Sequence, residues 1–215
     1  MKRLIFIFLF ICNTLVMLGQ AKDTICNIVN LDQYSCNSFW GGKLAAILKE
    51  DIYIGTELQG ATPLQKKRFA ESSEGKERLK VLKNEKEHLF SSLCEITFPI
   101  EINTQYNITQ KRLYVHYDFR IDGVEYIFSC KSNIKISQDA LNGGLIIIPC
   151  EKDIALKIED HVEDCRLSFF FRITPKDILK YKPGVFVGEA KPVIKTIVLK
   201  IAITNEVTGE RYLEL

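Results

Sequence analysis

Three histidines, one tryptophan and one dense acidic run are the residues of this 215-residue chain with the chemistry to act on something. His161 lies in Glu159-Asp160-His161-Val162-Glu163-Asp164, where Asp160, His161, Glu163 and Asp164 are candidate metal ligands. A calcium loop of the EF-hand kind spaces its acids at alternate positions around a central glycine. This run has neither feature, so it reads as an acidic turn between strands, and no metal is assigned. His116 falls among Tyr114, Asp118 and Arg120 at alternate positions, which in a strand places all four on one face. Tyr114, His116 and Asp118 are therefore candidates for a polar ligand, against the plainer reading of cross-strand neighbours in water. His88, beside Glu87 in a charged stretch, reads as a helix-surface residue.

Trp40 beside Phe39 and Gly41-Gly42 is a candidate stacking site for a sugar or other ring, against the plainer reading of a core anchor at a turn. No nucleophile elbow, phosphate loop, H-E-x-x-H or paired C-x-x-C is present, so no catalytic residue and no cofactor is assigned. Asn107-Ile108-Thr109 matches the acceptor pattern for N-glycosylation, a pattern common by chance.

The N-terminus has the plan of a signal peptide. Lys2 and Arg3 precede an apolar run from Leu4 to Leu18, and Gly19-Gln20-Ala21 puts small residues at the −3 and −1 positions of a cleavage site. The run is fifteen residues long, short of the roughly twenty that span a bilayer as a helix. The expectation is cleavage near Ala21 and an exported, periplasmic or secreted protein with no remaining span. Removing residues 1–21 takes two of the 29 Lys and Arg and none of the 27 Asp and Glu, leaving a formally neutral chain. Neutrality excludes the basic excess that nucleic-acid binding needs. Cys26, Cys36, Cys94, Cys130, Cys150 and Cys165 remain, an even number that invites disulfides in an oxidising compartment. Cys26 with Cys36 is the nearest local pair, and Cys130, Cys150 and Cys165 are candidates to staple neighbouring strands.

The elements that must position these residues change in texture near Leu93. Residues 22–93 lean to helix: Leu44, Ile47, Leu48 and Ile52 are helically spaced behind Asn37-Ser38, a possible cap. From Pro63 the chain is strongly charged, with Leu79, Leu82, Leu89 and Leu93 on one stripe interrupted by Lys86, and with Glu74 placed to pair with Arg78. Gly75 predicts a helix start after it. Residues 94–215 alternate with period two. Leu113, Val115, Tyr117, Phe119 and Ile121, the turn Asp122-Gly123, and Val124, Tyr126, Phe128 and Cys130 predict a hairpin. Leu167, Phe169, Phe171 and Ile173 form another strand face, as do Val193, Ile197, Leu199, Ile201 and Ile203, and the shorter set Ile154, Leu156 and Ile158. Leu145 to Ile148, a continuous apolar run, reads as a central strand covered on both sides, and Thr174-Pro175 as the start of a short helix ended by Pro183-Gly184.

The fold class expected is α+β and mostly β, an antiparallel β-sandwich or curled sheet over 94–215 with the helical segment 22–93 packed on it. Residues 22–215 read more readily as one unit than two. The function expected is a non-enzymatic β-scaffold binding or accessory protein of the cell envelope or secretome, with a protein or glycan partner. One alternative is a secreted hydrolase joining His116 or His161 to nearby carboxylates. The other is an assembly component acting through strand pairing along Val193 to Thr204, if that strand lies at a sheet edge.

Overall fold

The structure, a computed structural model, describes residues 27–34, 42–118, 124–131, 134–139, 143–180 and 192–215. It is α+β, with three N-terminal helices near the first strands and two sheets beyond them. Helix α1 (Lys43–Lys49) buries Leu44 to Leu48 without a break, so it is apolar all round and covered on every side. Its N-cap is Gly42; Asn37-Ser38 lie outside the described residues.

The charged stretch is two helices, α2 (Pro63–Glu71) and α3 (Ser73–Ser91), where the sequence predicts one. Thr62 and Gln65 form a capping box at the start of α2. Ser72 breaks the pair: its hydroxyl donates to the Phe69 carbonyl at 2.6 Å and accepts from the Gly75 N–H at 3.1 Å. Gly75 thus lies inside the first turn of α3, not before it. A Cβ there would sit 2.1 Å from the Phe69 carbonyl oxygen, so the α2–α3 corner requires glycine. Leu82 and Leu89 are buried on the α3 stripe. Lys86 is tolerated on that stripe because its ammonium donates to Glu50 at 2.9 Å and lies over the Phe90 ring. Arg78 does not serve Glu74 as expected but donates to the Ile54 carbonyl at 2.8 Å, tying the loop after α1 to α3.

The strands are β1 (Ile28–Asn30), β2 (Leu93–Pro99), β3 (Gln105–Asn107), β4 (Arg112–Tyr117), β5 (Glu125–Cys130), β6 (Lys135–Asp139), β7 (Gly143–Pro149), β8 (Cys165–Phe171), β9 (Ile178–Lys180), β10 (Pro192–Asn205) and β11 (Arg211–Glu214). A four-stranded antiparallel sheet runs β3-β4-β7-β6, with β7 internal as Leu145 to Ile148 predict but buried on one face only, through Ile146 and Ile148, with Leu145 and Ile147 partly exposed on the other. The other sheet has seven strands and is mixed: β1 lies parallel to β2, and β5 parallel to β10. An all-antiparallel arrangement is thereby corrected. The parallel partner of β5 arrives only after the smaller sheet has been completed in between, and that intervening chain supplies the crossover.

The expected hairpin is corrected for the same reason. Strand β4 pairs with β3 and β7 in one sheet while β5 joins β10 in the other, and Asp122-Gly123 lie outside the described residues. A turn dipeptide redirects a chain without choosing its partner. Tyr126 and Phe128 instead pack against Phe171 and Phe169. The set Ile154, Leu156 and Ile158 is also corrected, since it lies in helix α4 (Lys152–Asp160). There Ala155 and Ile158, three apart, are buried and Leu156 is exposed. Thr174-Pro175 opens only a single 3-10 turn, Pro175–Asp177, before β9; Pro183-Gly184 lie outside the described residues.

Strand β10 organises the larger sheet. Val193 and Ile194 pair with both β5 and β9, and Ala202 to Thr204 with both β8 and β11, so β5 and β11 follow one another along one edge and β9 and β8 along the other. Its register against β8 slips between Val198 and Lys200. That bulge turns the strand's phase over at Leu199. Ile194, Thr196 and Val198 before it and Ile201 and Ile203 after it are buried, while Ile197 and Leu199 are exposed. Grouping Val193, Ile197, Leu199, Ile201 and Ile203 on one face, as strict alternation does, is therefore incorrect.

The sheets meet through aromatic rings. Tyr117 of β4 lies 5.1 Å from Phe98 of β2 and 5.6 Å from Phe169 of β8, centroid to centroid. The chain continues from β2 to pair with the end of β4, Glu101 N–H donating to the His116 carbonyl at 2.8 Å and Asp118 N–H to the Pro99 carbonyl at 3.2 Å. On the opposite side Gln138 of β6 accepts the Phe128 N–H of β5 at 2.8 Å.

Among the described residues Cys94, Cys130, Cys150 and Cys165 form no disulfide with one another; Cys26 and Cys36 lie outside the described residues. Cross-strand registry explains it, because Cys94 faces Phe171, Cys130 faces Val198 and Cys165 faces Asn205. Burial pushes the thiols of Cys94, Cys150 and Cys165 up to about 11. Since the thiolate is the reactive form, iodoacetamide at pH 8 is expected to label Cys130, the partly exposed one, at least tenfold faster than these three. Peptide mass mapping reads this directly, and equal rates in the folded protein would contradict the packing.

Asp32 follows β1 and accepts the Thr97 N–H at 3.4 Å, continuing the cover of the β2 edge with a side chain. Desolvation raises its pKa above the ordinary 3.8, and the nearby Glu95 adds to this. For an acid whose folded pKa is raised, the stabilising contribution belongs to the protonated form and is lost as pH rises through that value. Asp32→Asn is therefore expected to raise the melting temperature at pH 7 by about 1–3 °C, with the gain vanishing below pH 3.8. A lower melting temperature at pH 7 would show that the charge is favourable there.

Candidate functional site

The outer face of the larger sheet, where β9, β10 and β5 lie side by side, exposes more aliphatic surface than its position requires. Leu199 is 58% exposed, Leu179 41%, and Ile127 and Ile197 39% each. The registry places them together. Glu125, Val193 and Leu179 form one row across the three strands, Ile127 and Lys195 the next, and Ser129 and Ile197 the third, with Leu199 beyond. Val193 within this face is buried. Single exposed aliphatics are ordinary, whereas four on one sheet face make that face the candidate for a functional surface.

Local sequence explains the group. Residues 196–199, Thr-Ile-Val-Leu, present apolar side chains to both faces, and the Leu199 bulge makes the inner face resume with Ile201. Ile127 stands at an out-of-phase position of β5, between buried Tyr126 and Phe128. Alternation treats Ile197 and Leu199 as core and passes over Ile127 and Leu179. An aliphatic residue on the wet side of an alternating strand is the signal that marks them.

The residues singled out by type do not converge. Trp40 lies outside the described residues. Tyr114 and His116 share the outer face of β4, half-buried, the Tyr114 hydroxyl donating to Gln110 at 2.6 Å and the His116 N–H to Thr104 at 3.2 Å; Asp118 follows the strand's end. Asp160 ends α4, His161 caps it, and Glu163 and Asp164 lie in the 3-10 turn that leads into β8, so the expected turn between strands is a helix terminus. The His161 ring faces Tyr212 at 6.5 Å, and the neighbouring Glu159 accepts the Tyr106 N–H at 2.6 Å, closing the edge of β3. Among the described residues no group of three or more His, Cys, Asp and Glu is arranged to hold a metal ion.

His88 is exposed in the last turn of α3, far along the chain from either of the other histidines. A cleft of about 380 Å³ lies at the end of α1, lined by Lys49, Glu50, Asp51, Ile52, Tyr53 and Leu79 and by no histidine. Among the described residues no helix is long and apolar enough to cross a membrane. Comparison with protein-family models, with curated proteins and with solved structures finds no match.

Proposed function

We propose that the chain is an exported, non-enzymatic protein whose two sheets form a sandwich-like scaffold, and that it binds another protein through the outer face of β5, β9 and β10. The observation that carries the binding reading is the exposed group Ile127, Leu179, Ile197 and Leu199 on a rigid sheet. Aliphatic side chains favour a protein partner over a glycan, which would call for aromatic platforms and polar hydrogen-bonding groups. Export is supported by the Lys2-Arg3, Leu4–Leu18 and Ala21 pattern. Strand pairing along Val193 to Thr204 loses its motivation, because β10 has partners on both edges.

Two measurements test this. The intact mass of the protein recovered outside the cytoplasm is expected to begin at Lys22, and an uncleaved chain retained inside would overturn export. A photo-crosslinking residue at Leu199 is expected to capture protein, whereas one at Val81, exposed on α3, captures none. Equal capture at both sites would remove the binding face.

A further inference from the structure

Asn107, Ile108 and Thr109 form the one Asn-x-Ser/Thr triplet in the chain, and the fold sets it at the tip of the β3–β4 hairpin. Asn107 is the last residue of β3, paired with Arg112, and residues 108–111 make the turn. Ile108 is 69% exposed, and Thr109 and Gln110 beside it are exposed as well. The two ends of the Asn107 carboxamide are used unequally. Its Oδ1 accepts the Gln110 N–H at 2.9 Å, while its Nδ2 makes no hydrogen bond among the described residues. The turn is braced a second time, the Tyr114 hydroxyl donating to Gln110 Oε1 at 2.6 Å. A bulky group joined at so open a turn displaces no strand pairing and no core side chain.

We propose that Asn107 is an N-glycosylation site, its Nδ2 receiving an oligosaccharide from a polyprenyl-diphosphate donor as the chain is exported. The proposal rests on the reading of the chain as exported, because it is there that the acceptor meets donor and transferase. Nδ2 forms a bond to the anomeric carbon of the first sugar. The bond from that carbon to the diphosphate oxygen breaks, its electron pair leaving with the polyprenyl diphosphate, and one Nδ2 proton passes to a base of the transferase. Thr109 supplies the hydroxyl that the triplet requires two residues on, and it is exposed. The product is a secondary amide, so Oδ1 keeps its lone pairs and the hydrogen bond from Gln110 survives the modification. Strand β3 is an edge of the smaller sheet, and Glu159 already closes that edge at Tyr106. A glycan on the next residue extends this protection against pairing with other chains. It stands on the smaller sheet and leaves the β5, β9 and β10 face of the larger one free.

Intact mass and peptide mapping of the protein recovered outside the cytoplasm of the cells that make it test the proposal. The chain beginning at Lys22 is expected to exceed its polypeptide mass by one oligosaccharide, carried on the peptide that holds Asn107. An amidase specific for N-glycans removes the addition and converts residue 107 to aspartate. Asn107→Gln and Thr109→Ala, made in the same cells, are each expected to lose the addition completely, whereas Thr109→Ser retains it. Thr109→Ala keeps the Asn107 side chain and its hydrogen bond to the turn, so loss in that variant with an unchanged thermal melt is not a failure to fold. A chain that begins at Lys22 and has its bare polypeptide mass overturns the site and leaves export standing. An addition that persists in Asn107→Gln also overturns it. An uncleaved chain retained inside overturns export and the site with it.

Discussion

Phe169→Ala is expected to lower the stability of the folded chain by about 3–5 kcal/mol, the range for deleting a buried aromatic ring. Phe169 is fully buried and lies 5.7 Å from Phe98, 5.6 Å from Tyr117 and 5.0 Å from Phe128, so a single ring touches strands of both sheets. Its neighbours are rings held by backbone on three strands, which limits how far they can close the space left behind. Urea unfolding gives the magnitude. Thiol labelling during the same titration then reports each sheet separately, because Cys94 lies on β2 of the larger sheet and Cys150 immediately follows β7 of the smaller. Both thiols are expected to become reactive at the same, lowered urea concentration. If one sheet kept its protection after the other had lost it, the two would be separate units and residues 22–215 would not fold as one.

The second large effect is expected at Gly144, where Gly144→Ala costs about 2–3 kcal/mol, the upper part of the range for overpacking a core. A Cβ at this position would lie 2.1 Å from Cζ of Tyr117, 2.4 Å from Cε2 and 2.5 Å from Cε1. The ring cannot withdraw, since Phe98 and Phe169 hold it from the other sheet. The cross-strand pairing Tyr117↔Gly144 is thus a fitted pair, a large ring lying over a residue with no side chain. Tyr117→Val removes the obstruction, and in that background the cost of Gly144→Ala is expected to fall below about 1 kcal/mol, measured as a double-mutant cycle. The same cost in both backgrounds would mean that the penalty comes from the backbone of β7 and not from the ring.

Much of the local structure is legible in the sequence, and the points of failure have identifiable causes. Leu113, Val115 and Tyr117 alternate as read, and each is buried. The break in texture near Leu93 is where α3 gives way to β2. Partner choice is different, because it is decided by residues far apart in the chain. Asp122-Gly123 carries no information that β5 will lie beside Val193 to Val198. Ile154, Leu156 and Ile158 satisfy a period of two, and Ala155 with Ile158 satisfies a period near 3.6, so only the surroundings of α4 between β3 and β11 settle which period is used.

The candidate face was the least legible feature. Its exposure depends on a one-residue slip at Leu199 that leaves no mark in composition, since Thr196 to Leu199 looks equally apolar in either phase. Cysteine count likewise says nothing of registry, which sets Cys94 opposite Phe171 and Cys130 opposite Val198. Side-chain type alone does not show that the first carboxylate of the acidic run, Glu159, closes the edge of β3.

The placement of β10 also bears on how the molecule comes into being. Strands β5, β8, β9 and β11 all hydrogen-bond to β10, Pro192–Asn205, so the seven-stranded sheet has no centre until that segment has been made. Until then β5 and β8 each lack the partner that β10 supplies on one edge. Long-range pairing of this kind delays closure. Loss of residues 192–215 would remove the keystone while leaving the sequence of β1 to β9 intact.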